Sequence, residues 1–444
     1  MHSMRRCLIL AAGRGERLNS RGVPKPLFPL LGVPLIERVI LTAQRTGLDD
    51  FTVVTGYQGA RVRQFLDGLA ARRGLQITHV VNDDWEAGNG LSVLKAEDEL
   101  KTDPFVLLMA DHVVDERLLV ALQSERLEEG TVLLAVDRDT RNPLVDLEDV
   151  TKVEVRDGFL RRIGKRIEQT NAFDTGCFLC SSAVFPALQR ARAQSGATTL
   201  SAAIQLLAEA GKVPTLDIGD ALWIDVDDAR GVRRAEEVLL SRLPKSTDGP
   251  VARRFNRPLS TRLSRYLVRS AITPNQISLF CFGLSALAAA LFAVGGYLWL
   301  ALGGVLAQVA SIVDGCDGEV ARLTFCESSF GRWFDAVLDR YSDAFLLFGL
   351  TWHVFNAGGA PSVLIVGFLA IIGSFMNSYT ADKYDGLMKA RFERGKGVRI
   401  GHDVRVFMIS VGALCNLPFL TLALIAVLMN LETVRRVLVA RSDG

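Results

Sequence analysis

The chain has almost no excess charge, few cysteines and little at its start that resembles a secretion signal. Lysine and arginine total 51 against 49 for aspartate and glutamate, so composition gives no general case for nucleic-acid binding. The seven cysteines are scattered without a disulfide framework, which favours a reducing compartment. The opening MHSMRRCLILAAG places basic residues before a short apolar stretch that runs into glycine, and this predicts a first β-strand rather than a signal peptide.

Hydropathy divides the 444 residues into two halves. In the first half, short apolar strands such as CLILAAG and PFVLLMAD alternate with amphipathic stretches, which predicts an α/β domain over 1–243. In the second half, apolar runs of membrane-spanning length dominate, which predicts an all-α transmembrane domain over 273–444. The chain is too long for one ordinary domain, and this division agrees with its length.

The segment 244–272 between the two halves is basic. It places Leu259, Leu263 and Leu267 at helical spacing among arginines. We interpret it as a linker followed by an amphipathic helix on the inner leaflet of the membrane. The alternative is a plain basic linker.

Six apolar runs predict the transmembrane helices. They are 276–295, 297–313, 343–356, 361–379, 404–416 and 417–431. The last two abut at CNLP and could form one long span or a tight hairpin. Six spans place every basic segment on one side and the uncharged turns GGY, NAGGAPS and CNLP on the other, as the positive-inside rule requires. We therefore predict a multi-pass cell-membrane protein with six helices, whose N-terminal domain and C-terminus are cytoplasmic.

A stretch rich in acids, residues 314–343, lies among these runs, although one unpaired charge at membrane depth costs several kcal/mol. Asp314 and Asp317 are three residues apart, and Asp335 and Asp339 are four apart, so each pair shares one face of a helix. Facing carboxylates suit divalent cations with oxygen ligands, and paired cations suit displacement at phosphorus. The alternative is a solvated loop with ordinary surface acids.

Two further residues of this stretch favour a phosphate ligand. Gly318 would let a ligand approach the backbone, and Arg322 could neutralise a diphosphate. The pattern Asp-x2-Asp-Gly-x2-Ala-Arg-x8-Gly-x3-Asp-x3-Asp, which starts at position 314, resembles the complete signature of the CDP-alcohol phosphotransferases. This resemblance covers about 248–440 and includes TPNQIS at the start of the first span.

The resemblance implies a membrane enzyme that displaces cytidine monophosphate (CMP) from a CDP-linked donor. It implies two Mg²⁺ or Mn²⁺ ions, held by Asp314, Asp317, Asp335 and Asp339. Gly318 and Arg322 would then bind the nucleotide. An attacking hydroxyl needs a base, and the family pattern gives that role to Asp339. Asp343 lies outside the signature, and we expect it to be a simple helix-face acid.

In the first half, LILAAGRGERLNSRGVPKPL reads as a strand, a glycine loop and a basic segment. Glycine-rich loops after strands approach phosphates closely because their N–H groups can point inward. The stretch resembles the AAGxGxR…PKP motif of the sugar-nucleotidyltransferases, and the resemblance extends over roughly 5–240. It implies a doubly wound α/β sheet. Nucleotide contacts would come from Ala11, Gly13 and Gly15, and the triphosphate would meet Arg17 and Lys25.

Other positions of the first half fit the same family. Asp111 ends a buried strand, where a metal ligand belongs in an open sheet, and Asp225 or Asp227 would be the second ligand of a Mg²⁺ or Mn²⁺ ion. The stretch NDDWEAGNGLSV resembles a base-recognising loop whose candidates are Asn82, Gly88, Asn89 and Ser92. The phosphorylated substrate would be bound by Lys152, Lys165 and Asp174. A solvated surface role is the alternative for either lysine.

Together the two halves resemble the bifunctional inositol-1-phosphate cytidylyltransferase/di-myo-inositol-phosphate-phosphate synthase family. The resemblance implies that CTP and a phosphorylated alcohol, inositol 1-phosphate, give a CDP-alcohol intermediate, and that inositol 1-phosphate is also the acceptor. Seven basic residues of the loop 383–405 offer charges for that acceptor: Lys383, Lys389, Arg391, Arg394, Lys396, Arg399 and Arg405. Anionic lipid headgroups would explain this basic loop equally well. Membrane lipid and a homodimer are further expected partners, and nucleic acid is not.

Two alternative functions remain open at this stage. One is a phospholipid synthase that uses CDP-diacylglycerol, with an N-terminal domain that activates another phosphorylated alcohol or sugar. The other is a membrane scaffold with relict domains. Relict sites should have lost ligands, and both motifs are intact in this chain, which disfavours the scaffold.

Overall fold

The computed structural model describes residues 5–18, 22–244, 249–387 and 401–442, with side chains to 381 in the third range and to 438 in the fourth. The chain folds into two compact units, 1–238 and 239–444. The first unit is a mixed α/β domain, and the second is helical.

The first unit is built on one large sheet with helices around it. The strands of the unit are β1 (Arg6–Ala11), β2 (Pro29–Leu30), β3 (Val33–Pro34), β4 (Asp50–Thr55), β5 (Gln76–Val81), β6 (Phe105–Met109), β7 (His112–Val114), β8 (Val132–Asp137), β9 (Lys152–Arg156), β10 (Phe159–Gly164), β11 (Ala172–Cys180), β12 (Thr215–Asp217) and β13 (Trp223–Asp225). Strands β2 and β3, and likewise β7 and β13, form small separate sheets. Its helices are α1 (Leu35–Arg45), α2 (Gly59–Arg73), α3 (Asn89–Lys95), α4 (Glu97–Leu100), α5 (Glu116–Ser124), α6 (Val184–Ser195), α7 (Leu200–Glu209) and α8 (Ala229–Ser241).

The main sheet runs in the order β10-β9-β11-β6-β1-β4-β5, with β8 paired to β11 and β12 paired to β8. The pairs β6–β1, β1–β4 and β4–β5 are parallel, whereas β11 is antiparallel to each of its neighbours β6, β8 and β9. The sheet is therefore mixed. Because β1, β4 and β6 run in one direction, the loops after their carboxyl ends meet at one edge, which is where open α/β sheets bind ligands.

Both faces of the sheet are covered, as the apolar run of β1 predicts. Leu8 and Leu10 join a core that includes residues of α3, α6 and α7, whereas Cys7 and Ile9 join a second core that includes residues of α1, α2 and α5. Alternate side chains of a strand point to opposite faces, so a strand packed on both sides must be apolar throughout. The helices on both faces agree with a doubly wound arrangement.

The second unit contains a π-helical turn at Ala252–Asn256 and a series of long helices. The helices are α9 (Arg257–Leu267), α10 (Pro274–Val294), α11 (Tyr297–Leu323), α12 (Ser329–Asn356), α13 (Ser362–Leu387), α14 (His402–Leu414) and α15 (Pro418–Ser442). Helix α10 begins at a capping box, in which the Thr273 side chain accepts from the Gln276 backbone N–H and the Gln276 side chain accepts in return. The sequence TPNQIS therefore starts this helix.

In the described part of the second unit, four segments are long and apolar enough to cross a membrane: Pro274–Val294, Tyr297–Leu323, Ser362–Ala381 and Pro418–Leu438. Helix α12 carries several acids in its first half, and α14 has only 13 residues. These four helices and the apolar surface of the unit indicate a membrane protein. The count of six spans stays a prediction.

The chain breaks between α14 and α15, as one of the two alternatives for CNLP requires. Asn416 has a positive φ of 56°, and Pro418 begins the next helix, so one continuous helix through this point does not form. Ile409 and Ala413 of α14 lie in the same buried core as Leu422 and Ile425 of α15. The last two apolar runs are therefore two packed helices.

Helix α9 packs through its polar side. Ser260 and Ser264 are fully buried, while 49% of Leu259 and 69% of Tyr266 are exposed. The outward apolar side chains suit a helix that lies on a membrane surface, which stays a prediction.

Candidate active sites

A cavity of about 350 Å³ opens at the sheet edge where β1 and β6 end. It is lined by many of the residues that the sequence pointed to: Gly13, Arg17, Asn89, Ser92, Asp111, Lys165, Asp174, Asp225 and Asp227. These residues come from loops that are far apart in sequence. The parallel strands bring them together because their carboxyl ends share one edge.

Lys25 is the buried cation of this site. Only 7% of its side chain is exposed, and its Nζ donates hydrogen bonds to Asp111 and Asp227. Burial alone would lower the pKa of Lys25, but the Asp111, Asp225 and Asp227 carboxylates outweigh it and raise the pKa. Gly15 has a positive φ of 62°, and a Cβ there would collide with the Lys25 side chain. The glycine loop and the PKP segment are therefore packed on each other.

Arg17 and Lys165 are linked through an acid that sequence reasoning missed. Arg17 Nη2 donates to Asp149 Oδ2 at 2.5 Å and to Asp227 Oδ2 at 2.7 Å. Lys165 Nζ donates to Asp149 Oδ1 at 2.5 Å, and this bond is the largest cause that lowers the pKa of Asp149. One carboxylate thus holds the two cations that were assigned to the triphosphate and to the phosphorylated substrate.

Asp111, His112 and Asp225 form a group that fits a metal ion. Their ligand atoms lie within 4.8 Å of one another. The Nδ1 of His112 lies 2.8 Å from the Thr175 carbonyl oxygen, which leaves Nε2 facing the two carboxylates at 3.7 and 3.8 Å. The sequence left Asp225 and Asp227 open as the second ligand. The structure groups Asp225 with Asp111, whereas Asp227 bonds to basic side chains.

His112 was not predicted from the sequence. Burial alone would lower the pKa of His112, but the nearby Asp225 and Asp111 carboxylates outweigh it and raise the pKa to about 9. The available signal was its position directly after Asp111, which itself follows the buried strand β6.

The segment assigned to base recognition is held by one hydrogen bond within it and one to the start of α7. Asn82 Nδ2 donates to Ser92 Oγ at 3.0 Å, and Asn89 Oδ1 accepts from the Leu200 backbone N–H at 2.9 Å. Gly88 has a φ of 117°, and a Cβ there would lie 2.8 Å from a backbone oxygen of Thr198. These bonds hold Ser92 and Asn89 at the cavity wall. Trp85, which the sequence did not single out, lines the cavity as well.

The remaining predicted residues of the first half take different positions. Asp174 lines the cavity, and burial raises the pKa of its carboxyl to about 6. Ala11 is buried at the end of β1, next to the glycine loop. Lys152 begins β9 and is not among the residues that line the cavity in the described part of the chain. A substrate role for Lys152 therefore has the weakest geometric support.

In the second unit, three carboxylates converge between α11 and α12. Oxygens of Asp314, Asp317 and Asp335 lie within 4.8 Å of one another, and Ser278 Oγ donates to Asp317 Oδ2 at 2.5 Å. Asp335 Oδ1 is buried and has no hydrogen-bond partner among the described residues. Three clustered carboxylates repel one another unless a cation lies among them. The donor set and the unpaired oxygen therefore fit divalent metal binding.

Asp339 lies one turn beyond Asp335 and faces a cavity of about 210 Å³. The wall of this cavity comes from the π-turn and α9, from α11, and from the start of α14; it includes Asn256, Arg257, Ser260, Ser311, Asp314, Gly315, His402 and Asp403. The Oδ1 of Asp339 lies 3.9 Å from His402 Nε2, and its Oδ2 lies 3.8 Å from Arg340 Nη1. Asp339 is thus placed beside a space that can hold a ligand.

The expectation for Asp343 as a simple helix-face acid is wrong. Asp343 is buried, and its Oδ2 accepts from Arg405 Nε at 3.0 Å and from Ser374 Oγ at 2.9 Å, while its Oδ1 lies 2.8 Å from His402 Nδ1. The assignment of Arg405 to a basic loop is wrong as well, because Arg405 is buried in this pair. The other cations of that loop, Lys383, Lys389, Arg391, Arg394, Lys396 and Arg399, lie outside the residues whose side chains are described.

Gly318 and Arg322 lie one turn apart on α11, after the acids. A Cβ on Gly318 would lie 3.3 Å from Arg322 Nη1, so glycine gives the guanidinium room on this face. Arg322 Nη2 donates to the Leu243 carbonyl oxygen at 3.2 Å. Gly318 directly follows Asp317 on this helix, and the Arg322 guanidinium lies one turn further along it.

Comparison with known proteins places each half in a family. Residues 7–209 match the MobA-like NTP transferase domain, and residues 271–440 match the CDP-alcohol phosphatidyltransferase family. The chain is thus a nucleotidyltransferase joined to a CDP-alcohol phosphotransferase, and it is a bifunctional enzyme.

Two relatives match over nearly their full length. The bifunctional IPC transferase and DIPP synthase of Rubrobacter xylanophilus is 37% identical over 97% of this chain and 95% of that protein. The protein of the same name from Aquifex aeolicus is 31% identical over 96% of each chain. A solved structure, the inositol-1-phosphate CTP transferase from T. maritima, is 26% identical, with a TM-score of 0.48 over 53% of this chain and 96% of that one. The chain belongs to the family of bifunctional IPC transferases and DIPP synthases.

Proposed function

We propose that the first unit joins CTP to inositol 1-phosphate, which gives CDP-inositol and pyrophosphate. The second unit then transfers phosphoinositol from CDP-inositol to a hydroxyl group of another inositol 1-phosphate and releases CMP. One observation carries this proposal: the described residues of a single chain form two acid-centred groups that fit metal ions. Under the proposal, the product of the first reaction is the donor of the second. The names of the full-length relatives support the choice of inositol.

In the cytidylyl step, an oxygen of the substrate phosphate attacks the α-phosphorus of CTP. The new P–O bond forms as the bond to pyrophosphate breaks. No strong base is required, because the attacking phosphate is already anionic at neutral pH. Lys25 and Arg17 supply positive charge for the triphosphate, and Lys165 supplies it for the incoming phosphate. A Mg²⁺ ion held by Asp111 and Asp225, with His112 beside them, would neutralise further charge at the α-phosphate.

In the transfer step, the acceptor hydroxyl attacks the phosphorus that carries inositol in CDP-inositol. A P–O bond to the acceptor forms, the bond to CMP breaks, and Asp339 takes the hydroxyl proton. Asp339 faces the cavity beside Asp314, so an acceptor there lies close to both the base and the acid cluster. Mg²⁺ ions held by Asp314, Asp317, Asp335 and Asp339 would neutralise the diphosphate, and Arg322 would add charge from the same helix.

We place helices α10 to α15 in the cell membrane as six spans, with both termini on the cytoplasmic side. The uncharged turns at 357–361 and 415–417 support this arrangement, because they lie at the ends opposite to the basic segments. The acid cluster then opens to the cytosol, where both substrates are available. Apolar side chains exposed on the long helices, such as Phe280, Leu302 and Phe368, would contact lipid. A homodimer stays a prediction.

A single incubation tests the proposed pair of reactions. The purified full-length protein receives CTP, Mg²⁺ and labelled inositol 1-phosphate in detergent, without added lipid. We expect pyrophosphate, CMP and a soluble product that contains two inositols and two phosphates. Accumulation of CDP-inositol until a lipid alcohol or another alcohol is added would contradict the proposed acceptor. That result would favour the alternative, a phospholipid synthase.

A further inference from the structure

We propose that His402 binds the acceptor together with Asp339, and that the two side chains contact adjacent hydroxyl groups of one polyol. This inference rests on the proposed transfer reaction and names a feature of the acceptor that the reaction would select. His402 lies outside the signature of acids, and sequence reasoning did not single it out.

The orientation of His402 is fixed from one side of its ring. Its Nδ1 lies 2.8 Å from Asp343 Oδ1, and the other oxygen of Asp343 accepts from Arg405 and Ser374. All of these partners are buried, and they come from α12, α13 and α14. A ring held in this way cannot rotate without breaking its hydrogen bond to the buried Asp343 carboxylate.

The other edge of the ring faces the cavity. His402 Nε2 lies 3.9 Å from Asp339 Oδ1, which is too long for a good hydrogen bond. Both side chains line the 210 Å³ cavity together with Asp314. The two polar atoms are therefore near neighbours that point to the same space, and a ligand can hydrogen-bond to each of them.

The chemistry of this pair favours two neighbouring hydroxyl groups. Asp339 accepts a hydrogen bond from the hydroxyl that attacks phosphorus. A second hydroxyl on the next carbon can bond to Nε2, and because a hydroxyl both donates and accepts, this contact forms in either protonation state of the ring. An acceptor with a single hydroxyl would leave Nε2 without that bond. His402 would thus select polyols with vicinal hydroxyls.

The test combines a variant with altered acceptors. CMP release from CDP-inositol is measured with inositol 1-phosphate and with each of its monodeoxy analogues, for the wild type and for H402A. We expect the wild type to lose about 10-fold in kcat/KM with one analogue, which corresponds to one hydrogen bond. With inositol 1-phosphate, the kcat/KM of H402A should be lower than that of the wild type by a similar factor. Replacing inositol 1-phosphate by that analogue should then cause no further loss in H402A. H402Q should recover part of the loss, since its amide can also bond to a hydroxyl.

H353Q is the matched control. His353 lies on the same helix as Asp339, and its Nδ1 is 3.0 Å from the Phe292 carbonyl oxygen, inside the helical core. Its replacement should leave the order of acceptors unchanged. Binding of CMP with Mg²⁺, measured by calorimetry, shows whether each variant keeps an intact donor site.

The outcomes separate this inference from the proposed function. If the kcat/KM of H402A falls below that of the wild type by the same factor with every acceptor, while the wild type uses inositol 1-phosphate, the role of His402 is overturned and the proposed function stands. If the wild type releases no CMP with any soluble polyol phosphate, both the proposed transfer reaction and the role of His402 are contradicted. If H402A fails to fold, H402Q with the same set of analogues decides the question in the same way.

Discussion

Glu319 and Arg257 form a buried ion pair between α11 and α9. The carboxylate of Glu319 is completely buried, and its Oε1 accepts from Arg257 Nη1 at 2.8 Å. Ser260 and Ser264 each donate to the same carboxylate at 2.7 Å. Glu319 directly follows Gly318 of the acid signature. The pair therefore fixes α9 against α11, the helix that carries Asp314 and Asp317.

Loss of this acid should destabilise the second unit. Glu319→Ala removes the carboxylate that neutralises Arg257 and accepts from two serine hydroxyls, which should cost about 3 kcal/mol. We expect a lower melting temperature in detergent, together with faster proteolysis near α9. Glu327→Gln, which changes an exposed acid of the loop after α11, is the control and should melt like the wild type. Equal melting of Glu319→Ala and wild type would show that the pair does not stabilise the unit.

The two half-reactions should be separable by mutation of the first unit. Lys25→Ala removes the buried cation beside Asp111, and we expect pyrophosphate release from CTP to fall at least ~100-fold. Asp111→Ala should do the same because it removes a proposed metal ligand. Both variants should still release CMP from added CDP-inositol. Pyrophosphate and CMP are measured separately in each case.

Lys101→Ala is the control for the loss of a lysine, since Lys101 is exposed and its ion pair with the exposed Asp98, at 2.8 Å, lies on the surface. Its activity should equal that of the wild type. A folded Asp111→Ala protein that had also lost CMP release would contradict two independent sites.

Much of this architecture could be predicted from local patterns. The glycine loop after β1 and the acid after β6 follow from strand periodicity, because parallel strands place their carboxyl ends at one edge. The spacing of Asp314 and Asp317, and that of Asp335 on the next helix, likewise predicted that these acids converge. Each of these signals lies within one element or at its end.

Contacts between distant residues could not be predicted. Asp343 pairs with Arg405 across 62 residues, whereas the charge pattern alone assigned Arg405 to a basic loop that offers charges for the acceptor. Asp149 binds Arg17 across 132 residues. In α9 the leucine spacing drew attention to the apolar side, whereas the buried side consists of serines that bond to Glu319. Hydrophobic periodicity does not identify a buried helix face that is made of polar residues.

The role of Asp339 as the base of the transfer step is tested by replacing its carboxylate with an amide. Asp339→Asn keeps the side-chain shape but cannot take the proton of the acceptor hydroxyl, so CMP release should fall at least ~100-fold. Pyrophosphate release should stay normal, which serves as the internal control. Near-normal CMP release would assign the proton to another group, and Asp335 would be the next candidate.

In an Asp335 variant, CMP release should need more Mg²⁺ than in the wild type, whereas pyrophosphate release should need the same amount. Asp335→Asn replaces a buried carboxylate whose Oδ1 has no protein partner in the described structure, so the second unit should bind Mg²⁺ more weakly. We expect the Mg²⁺ concentration for half-maximal CMP release to rise roughly 10-fold or more. The Mg²⁺ dependence of pyrophosphate release should not change. A parallel shift of both curves would indicate a global effect rather than a lost ligand.

Two natural cysteines can test the sidedness of the membrane unit. Cys326 lies in the loop between α11 and α12, and Cys415 lies in the break between α14 and α15; both are exposed. Six spans with cytoplasmic termini place Cys326 inside and Cys415 outside. Variants that retain only one of them should therefore react differently with an impermeant thiol reagent in intact cells. We expect Cys415 to be labelled and Cys326 to be labelled only after the membrane is opened.

A third position decides the path of the last helix. A single cysteine at Arg441 should be protected in intact cells, since α15 returns the chain to the cytoplasmic side. Protection of position 441 together with labelling of Cys415 requires that α15 crosses the membrane on its own. Labelling of position 441 from outside would instead place the basic end of α15, with Arg435 and Arg436, on the outer face, against the distribution of positive charge on which the six-span topology rests.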